Sequence, residues 1–113
     1  MTTLYKICPA AMWHDAVDRG VFDGAPVDHA DGFIHFSTAA QVRETAAKHF
    51  AGQTGLVLVA VPSESLGDGL VWEPSRGGDL FPHLYGTLDP RLAAWAVPLP
   101  WGPDGHLFPE EMP

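Results

Sequence analysis

The chain has 113 residues and a formal net charge of −8, and 46% of its residues are hydrophobic. This length is typical of one domain, and the composition is that of a folded globular protein rather than a disordered one. The six Lys and Arg residues are scattered singly, so the chain lacks the basic stripe that a nucleic-acid binder needs. A single cysteine, Cys8, excludes an internal disulfide and fits a reducing compartment.

No segment of the sequence predicts contact with a membrane. The longest aliphatic run, residues 56–61, is too short to span a bilayer and stops at Pro62. The N-terminal residues lack a charged lead followed by a long apolar core, so we expect no signal peptide. We therefore expect a cytoplasmic protein that is a monomer or a weak dimer, with a small molecule as its partner.

The N-terminal third predicts a strand, a helix and a loop. Residues 4–8 are expected to form a short strand, and a helix follows between Pro9 and Gly20, with Trp13 as its core anchor. Residues 20–32 combine three Gly, one Pro and three Asp without any period, which predicts a loop. The cluster of Asp28, His29, Asp31 and His35 matches no spacing of metal ligands, so we predict no metal site.

The next stretch, residues 33–37, predicts a strand with one polar face. With a period of two, Phe33, His35 and Ser37 share one face, while the alternate residues share the other. Thr38 and Gln41 then form the T-x-x-Q pattern of a capping box, which predicts a helix that ends near Gly52.

The second half predicts mainly strands. The aliphatic run of residues 55–61 is expected to be a central strand buried on both faces, and residues 69–73 a further strand. Phe81, His83 and Tyr85 would share one face of an extended segment, and residues 92–99 would form the last strand. Residues 100–113 predict an irregular Pro-rich tail packed through its aromatic residues, Trp101 and Phe108.

This order predicts an α+β fold with a mixed sheet and two helices in the N-terminal half. Residues 1–113 form one domain in this interpretation, with a core at about residues 4–99 and a tail at residues 100–113. The sequence contains neither a nucleophile elbow nor a glycine-rich phosphate loop. What it does contain is a set of polar residues at predicted strand ends that could bind a small ligand: His35, Ser37, Glu73, Arg76, His83 and Tyr85.

Several motifs of the chain resemble a bacterial family known only as domain of unknown function nine hundred fifty-two. They are Tyr5-Lys6-Ile7, the D-G-F-I-H-F-S sequence of residues 31–37, Trp72-Glu73, and the F-P-H-L-Y-G sequence of residues 81–86. The resemblance implies a fold similar to ADP-ribosyltransferases, which is a split mixed β-sheet with a cleft for NAD. It also implies a likeness to the RNA 2′-phosphotransferases.

The resemblance also implies roles for the candidate residues. Lys6 takes the place of a His or Arg on the first strand and would bind the ligand, as would Ser37, Arg76 and Tyr85. His35, Glu73 and His83 would be the catalytic residues, with Glu73, Arg76 or His83 in the third motif. No cofactor is implied except NAD as a substrate.

These residues and the resemblance leave three functions open. The first is an ADP-ribosyl- or phospho-transferase-like domain that binds a nucleotide-type anionic ligand. The first alternative is a non-catalytic module that senses or binds a metabolite in the same cleft. The second alternative is an interaction protein in which the polar cluster is purely structural.

Overall fold

A computed structural model of the chain describes residues 2–75, 77–110 and 112. The helices in this part are α1 (Ala10–Arg19), α2 (Pro26–Asp31) and α3 (Ala39–His49). The strands are β1 (Thr3–Pro9), β2 (Ile34–His35), β3 (Leu56–Pro62), β4 (Leu70–Pro74), β5 (Leu80–Leu84), β6 (Trp95–Leu99), β7 (Trp101–Gly102) and β8 (Gly105–His106).

The first sheet is built on β3, as its aliphatic sequence predicts. Its order is β1-β3-β6, and both strand pairs are antiparallel. One face of the sheet packs on α3 through buried residues that include Tyr5, Leu58 and Val42. The other face packs on α1, where the predicted anchor Trp13 is buried. Because β3 has a strand on each side and a core on each face, its residues 56–61 are all buried, which favours a continuous aliphatic run.

The second sheet has the order β2-β5-β4 and is also antiparallel. Its apolar face contributes Ile34, Phe36 and Leu84 to the core beneath α1. The two sheets are connected where Ser37 forms a bridge with Tyr5 of β1, with backbone hydrogen bonds of 2.8 and 2.9 Å. The opposite face of the second sheet carries the polar residues described below.

The helix boundaries follow the predicted signals at most positions. Helix α1 ends at Gly20, whose φ of 80° is a conformation that glycine adopts without steric cost. At the start of α3, the backbone N–H of Thr38 donates to Gln41 Oε1 at 3.1 Å, which is one half of the predicted capping box. Helix α3 ends at His49 with Phe50 as its C-cap, two residues before the predicted terminator.

Four expectations about the fold were wrong. Residues 20–32 were expected to be a loop, but they contain α2, so the described chain has three helices in its N-terminal half. The sheet was expected to be mixed, whereas every described strand pair is antiparallel. The last strand of the first sheet starts at Trp95, after a 3₁₀ turn at Pro90–Leu92. The tail is not wholly irregular, because β7 and β8 form a small hairpin.

The tail packs as predicted at Phe108, which lies against the core under α3, whereas Trp101 is largely exposed and contacts His106. Among the described residues, no helix combines the length and the apolar character needed to cross a bilayer.

Candidate functional site

The candidate site is the polar face of the second sheet. Period-two alternation places His35 of β2, His83 of β5 and Glu73 of β4 on this face, together with Phe33 and Tyr85, which flank the strands. The ring of Phe33 lies at the centre: its centroid is 4.6 Å from that of His35, 4.0 Å from that of His83 and 5.3 Å from that of Tyr85. The two imidazole rings are 5.5 Å apart. The structure therefore brings four of the predicted site residues together around one aromatic ring.

Glu73 connects two of these residues through a single oxygen. Its Oε1 lies 2.8 Å from His83 Nδ1 and accepts a hydrogen bond of 2.7 Å from the Tyr85 hydroxyl. These bonds from His83 and Tyr85 hold the pKa of Glu73 below its ordinary value, so the carboxylate is ionised at neutral pH. The same bond raises the pKa of Tyr85. The side chain of Glu73 is 34% exposed, so an ionised and oriented carboxylate remains accessible to a ligand.

A buried ion pair lies behind the polar face. Lys6 and Asp28 are 4% and 2% exposed, and Lys6 Nζ is 2.9 Å from Asp28 Oδ1 and 2.8 Å from Oδ2. Lys6 occupies a β1 position between Leu4 and Cys8, both of which are buried in the apolar core. An unpaired ammonium ion would be very costly at this position, and the carboxylate of Asp28 offsets that cost.

Asp28 also holds His35 in place. Its Oδ1 accepts a bond from the His35 backbone N–H at 3.1 Å and lies 2.6 Å from His35 Nδ1, while its Oδ2 accepts from the Ala25 N–H at 2.8 Å. Burial alone raises the pKa of Asp28, but the bond from His35 and the charge of Lys6 outweigh burial and leave the pKa well below its ordinary value. Asp28 is therefore a permanent anion that fixes both the backbone and the ring of His35.

The second ring nitrogen of His35 is also occupied. Its Nε2 lies 2.9 Å from Oδ2 of Asp31, a side chain that is about half exposed. An ionised carboxylate only accepts, so both contacts of the ring are hydrogen bonds when the imidazole is doubly protonated and cationic. Lys6, Asp28, His35 and Asp31 form one chain of polar contacts that runs from the core to the surface.

Two predicted site residues are placed differently, and a third is not described. Lys6 does not face the solvent, because the ion pair with Asp28 uses its ammonium group. Ser37 is buried, and its hydroxyl is 3.1 Å from that of Thr45 on α3, so it contacts the first sheet and α3 rather than Phe33. Arg76 lies outside the described residues.

Sequence reasoning missed the importance of Asp28, Asp31 and Phe33. A signal for Asp28 does exist: Pro26 is typical of the first turn of a helix, and an acidic residue two positions later is typical of a capping residue in that turn. The ion-pair partner of Asp28, Lys6, is 22 positions away in the sequence, and no local pattern connects the two.

The surroundings limit what the site can hold. Within the described ranges, no three His, Cys, Asp or Glu side chains are arranged to hold a metal ion. Two concavities lie elsewhere, one of about 700 Å³ between α3 and the β7–β8 hairpin and one of about 300 Å³ beside Trp13. The site itself is a polar surface with an aromatic centre.

Two of the three comparisons with known proteins found matches to this chain. The family model described as "Protein of unknown function (DUF952)" matches residues 7–96. The crystal structure of protein CC0527 from Caulobacter crescentus shows 50% sequence identity, covers 93% of this chain and 92% of that chain, and has a TM-score of 0.89. The solution NMR structure of CC0527 shows 50% identity, covers 94% of this chain and 91% of that chain, and has a TM-score of 0.84. No functionally curated protein matches the chain. The chain therefore belongs to the DUF952 family.

Proposed function

We propose that this chain is an ADP-ribosyltransferase-like domain that binds a nucleotide-type ligand, with NAD as the candidate substrate, on the polar face of the second sheet. The division into two three-stranded sheets supports the likeness in fold, because the resemblance in sequence implies a split sheet. Fold alone fixes no function, so the proposal depends on the chemistry of the polar face.

The observation that carries the proposal is the bonding of Glu73. An ionised carboxylate that two neighbours hold in one orientation can stabilise positive charge that develops at a ribose carbon when nicotinamide leaves. The partly exposed rings of Phe33 and Tyr85 beside it offer apolar faces on which a heterocycle can stack.

His35 supplies the contact for an anionic or carbonyl oxygen. Its Nε2 lies 2.9 Å from the exposed carboxylate of Asp31, and a ligand oxygen can replace Asp31 without disturbing the buried contact of Nδ1 with Asp28. Arg76, two positions after the last residue of β4 in the sequence, is the proposed clamp for a phosphate. Ser37, the remaining predicted contact, would have to exchange its bond with Thr45 to take part.

The test combines calorimetry with detection of released nicotinamide. We expect the wild-type protein to give a binding heat with NAD and to melt at a higher temperature when the ligand is present. Glu73→Gln keeps the size of the side chain and removes its charge, so it should lower nicotinamide release by about 10²-fold. Glu64→Gln, which changes an exposed carboxylate in the 3₁₀ turn after β3, is the matched control and should behave as wild type. No heat and no shift in melting temperature at millimolar NAD would refute the proposal.

A second candidate is a non-catalytic module that binds the same ligand. The observation that favours it is the burial of Lys6, because the first-strand residue of the transferase pattern is not available to a ligand. If the wild-type protein binds NAD without releasing nicotinamide, and Glu73→Ala binds NAD with the same affinity, the chain is the non-catalytic module. If His35→Ala lowers stability but leaves affinity unchanged, the polar cluster is structural.

A further inference from the structure

The imidazole ring of His83 has one bonded and one open nitrogen. Its side chain is only 9% exposed, and its Nδ1 lies 2.8 Å from Glu73 Oε1. Within residues 2–75, 77–110 and 112, Nε2 of this ring has no hydrogen-bond partner, whereas every buried side-chain nitrogen or oxygen in these ranges has one. Nε2 is therefore a polar atom that solvent reaches, on a side chain that is otherwise buried. The structure leaves this nitrogen open to a ligand.

The carboxylate of Glu73 determines where the ring of His83 carries its proton. An ionised carboxylate accepts hydrogen bonds and donates none, so Nδ1 is the nitrogen that donates to it. Nδ1 therefore keeps its proton whether the ring is neutral or cationic, and Nε2 is the nitrogen that gains or loses one. In the neutral ring, Nε2 presents a lone pair to whatever binds beside it.

The other imidazole of the polar face, that of His35, differs in this respect. Its Nδ1 lies 2.6 Å from Asp28 Oδ1, and its Nε2 lies 2.9 Å from Asp31 Oδ2. With a carboxylate at each nitrogen, this ring has no open lone pair with which to accept a proton from a ligand. Of the two rings, His35 is therefore suited to holding a ligand oxygen, and His83 to removing a proton.

Apolar side chains flank the ring of His83. The ring of Phe33 stacks on it, with centroids 4.0 Å apart and planes inclined by 25°. Val71, the cross-strand partner of His83 on β4, lies on the same face of the sheet and is 40% exposed. Stacking covers a face of the imidazole, whereas the lone pair of Nε2 lies in the plane of the ring. Neither neighbour can bond to Nε2, so the bond is left for a water molecule or a ligand.

We infer that His83 Nε2 is the general base of this site, and that the acceptor it activates is water or a neutral hydroxyl group. The inference rests on the proposed function, because it names the acceptor of the ADP-ribosyl group. Nε2 takes the proton of the acceptor O–H while the acceptor oxygen bonds to the ribose carbon. The bond from that carbon to the pyridinium nitrogen breaks, and its electron pair leaves with nicotinamide, which is released neutral. The imidazolium then passes its proton to water.

The charge of Glu73 limits the class of acceptor. Its Oε1 receives the bonds from His83 and Tyr85, and its Oε2 makes no hydrogen bond in the described part of the chain, so Oε2 is free to face the positive charge at the ribose. The same negative charge, with that of Asp31, repels an anionic acceptor such as a phosphate monoester. A guanidinium acceptor would pair with Glu73 directly and would not need Nε2. A neutral O–H is the acceptor that makes use of both groups.

The position of the proton on His83 is tested without NAD. In isotope-labelled protein at about pH 8, where an ordinary imidazole is neutral, nitrogen–proton correlation by NMR distinguishes a protonated ring nitrogen from a bare one. We expect His83 to carry its proton on Nδ1 and to have a bare Nε2, and we expect the exposed His14 of α1 to exchange between both tautomers. A proton on His83 Nε2 under these conditions would overturn the assignment of the base, whether or not NAD binds.

Turnover of NAD tests the base through a variant. The amide nitrogen of Asn reaches the position of Nδ1, so His83→Asn keeps a donor for Glu73 and removes the base. We expect this variant to bind NAD with wild-type affinity in calorimetry and to release nicotinamide about 10²-fold more slowly. His49→Asn, which changes an exposed ring at the end of α3, is the matched control and should release nicotinamide as wild type does. Wild-type release by His83→Asn would overturn the inference.

The products identify the acceptor. With methanol added to the wild-type protein, ADP-ribose alone identifies water as the acceptor, and methyl ADP-ribose identifies a hydroxyl group. Transfer to added agmatine or to a phosphate monoester in preference to both would overturn the acceptor class. If NAD does not bind, the proposed function and its acceptor are refuted together. In that case, or if His83→Asn does not fold, the proton position in the wild-type protein still decides whether Nε2 is the base.

Discussion

The buried ion pair of Lys6 and Asp28 gives the most direct test of how the site is held. Replacing Lys6 by Met keeps an unbranched side chain that is only one heavy atom shorter, but it removes the ammonium group. The carboxylate of Asp28 then remains buried with its bonds to His35 and the Ala25 N–H only. Breaking a buried ion pair in this way costs about 3–5 kcal/mol, and we expect the lower end because His35 still faces the carboxylate.

Removing the charge of Asp28 instead should lower the free energy of unfolding by more. Asp28→Asn leaves the ammonium group of Lys6 in the apolar core without an anion, and it weakens the acceptor for His35 and Ala25 at the same time. We expect a loss near the upper end of the same range, about 5 kcal/mol. Because a domain of this size has only about 5–15 kcal/mol of stability, this variant lies close to unfolding.

The double variant Lys6→Met/Asp28→Asn separates the pair from its surroundings. It removes both charges, so its loss should be smaller than the sum of the single losses by about 1–3 kcal/mol. Urea unfolding measures each free energy from the midpoint at a constant m-value. The control is Lys48→Met, since Lys48 forms a pair of 2.7 Å with Glu44 that is largely exposed, and its loss should stay below about 1 kcal/mol. If Lys6→Met is no more destabilising than this control, the ion pair does not hold the site.

Three further predictions concern titration and reactivity. Because the pKa of Asp28 is lower in the folded protein, its stabilising effect is complete above the unfolded pKa of about 3.9 and is lost as the pH falls from there toward the folded pKa. The free energy of unfolding in urea should therefore fall less steeply below about pH 4 in Asp28→Asn than in the wild type. Equal slopes would contradict this. Because Glu73 raises the pKa of Tyr85, Glu73→Gln should move the phenolate absorbance step of Tyr85 to lower pH. The step of Tyr5, whose pKa is raised mainly by burial, should stay where it is. A titration curve identical to that of the wild type would show that the bond to Tyr85 is absent in solution. Burial raises the pKa of Cys8 to about 11, so an aromatic disulfide reagent at pH 8 should label the thiol only after the protein is unfolded in urea. Rapid labelling of the folded protein would show that Cys8 is not buried.

Patterns that depend on neighbours in sequence predicted much of the fold. The aliphatic run of β3 and the capping box at Thr38 each specify a local structure, and the core adds to that preference instead of opposing it. Helix α2 was missed because it has only six residues, too few to show a helical period, and because its Gly- and Asp-rich flanks are typical of loops. Its stability comes from a tertiary contact, the bond network of Asp28.

The site could be predicted only where strands that follow each other in the sequence supplied it. His83 and Glu73 lie on adjacent antiparallel strands close in sequence, and their alternation alone places them on one face. Asp28 belongs to the same site, but its partners Lys6 and His35 come from β1 and β2, so the relation depends on how the two sheets meet. No periodicity carries that information.

The placement of Ser37 shows what that meeting of sheets does to the site. Alternation from His35 predicts Ser37 on the same face, provided that one sheet continues through both residues. Instead, the chain leaves β5 after the Phe36 N–H and pairs with Tyr5 of β1 at Ser37, so the two faces no longer belong to the same sheet. The antiparallel register that places Ser37 opposite Tyr5 also places Lys6 opposite Phe36, one residue from His35. The crossing between sheets therefore removes one predicted residue from the polar face and brings another, Lys6, to the buried side of His35, where it neutralises the carboxylate that orients the ring.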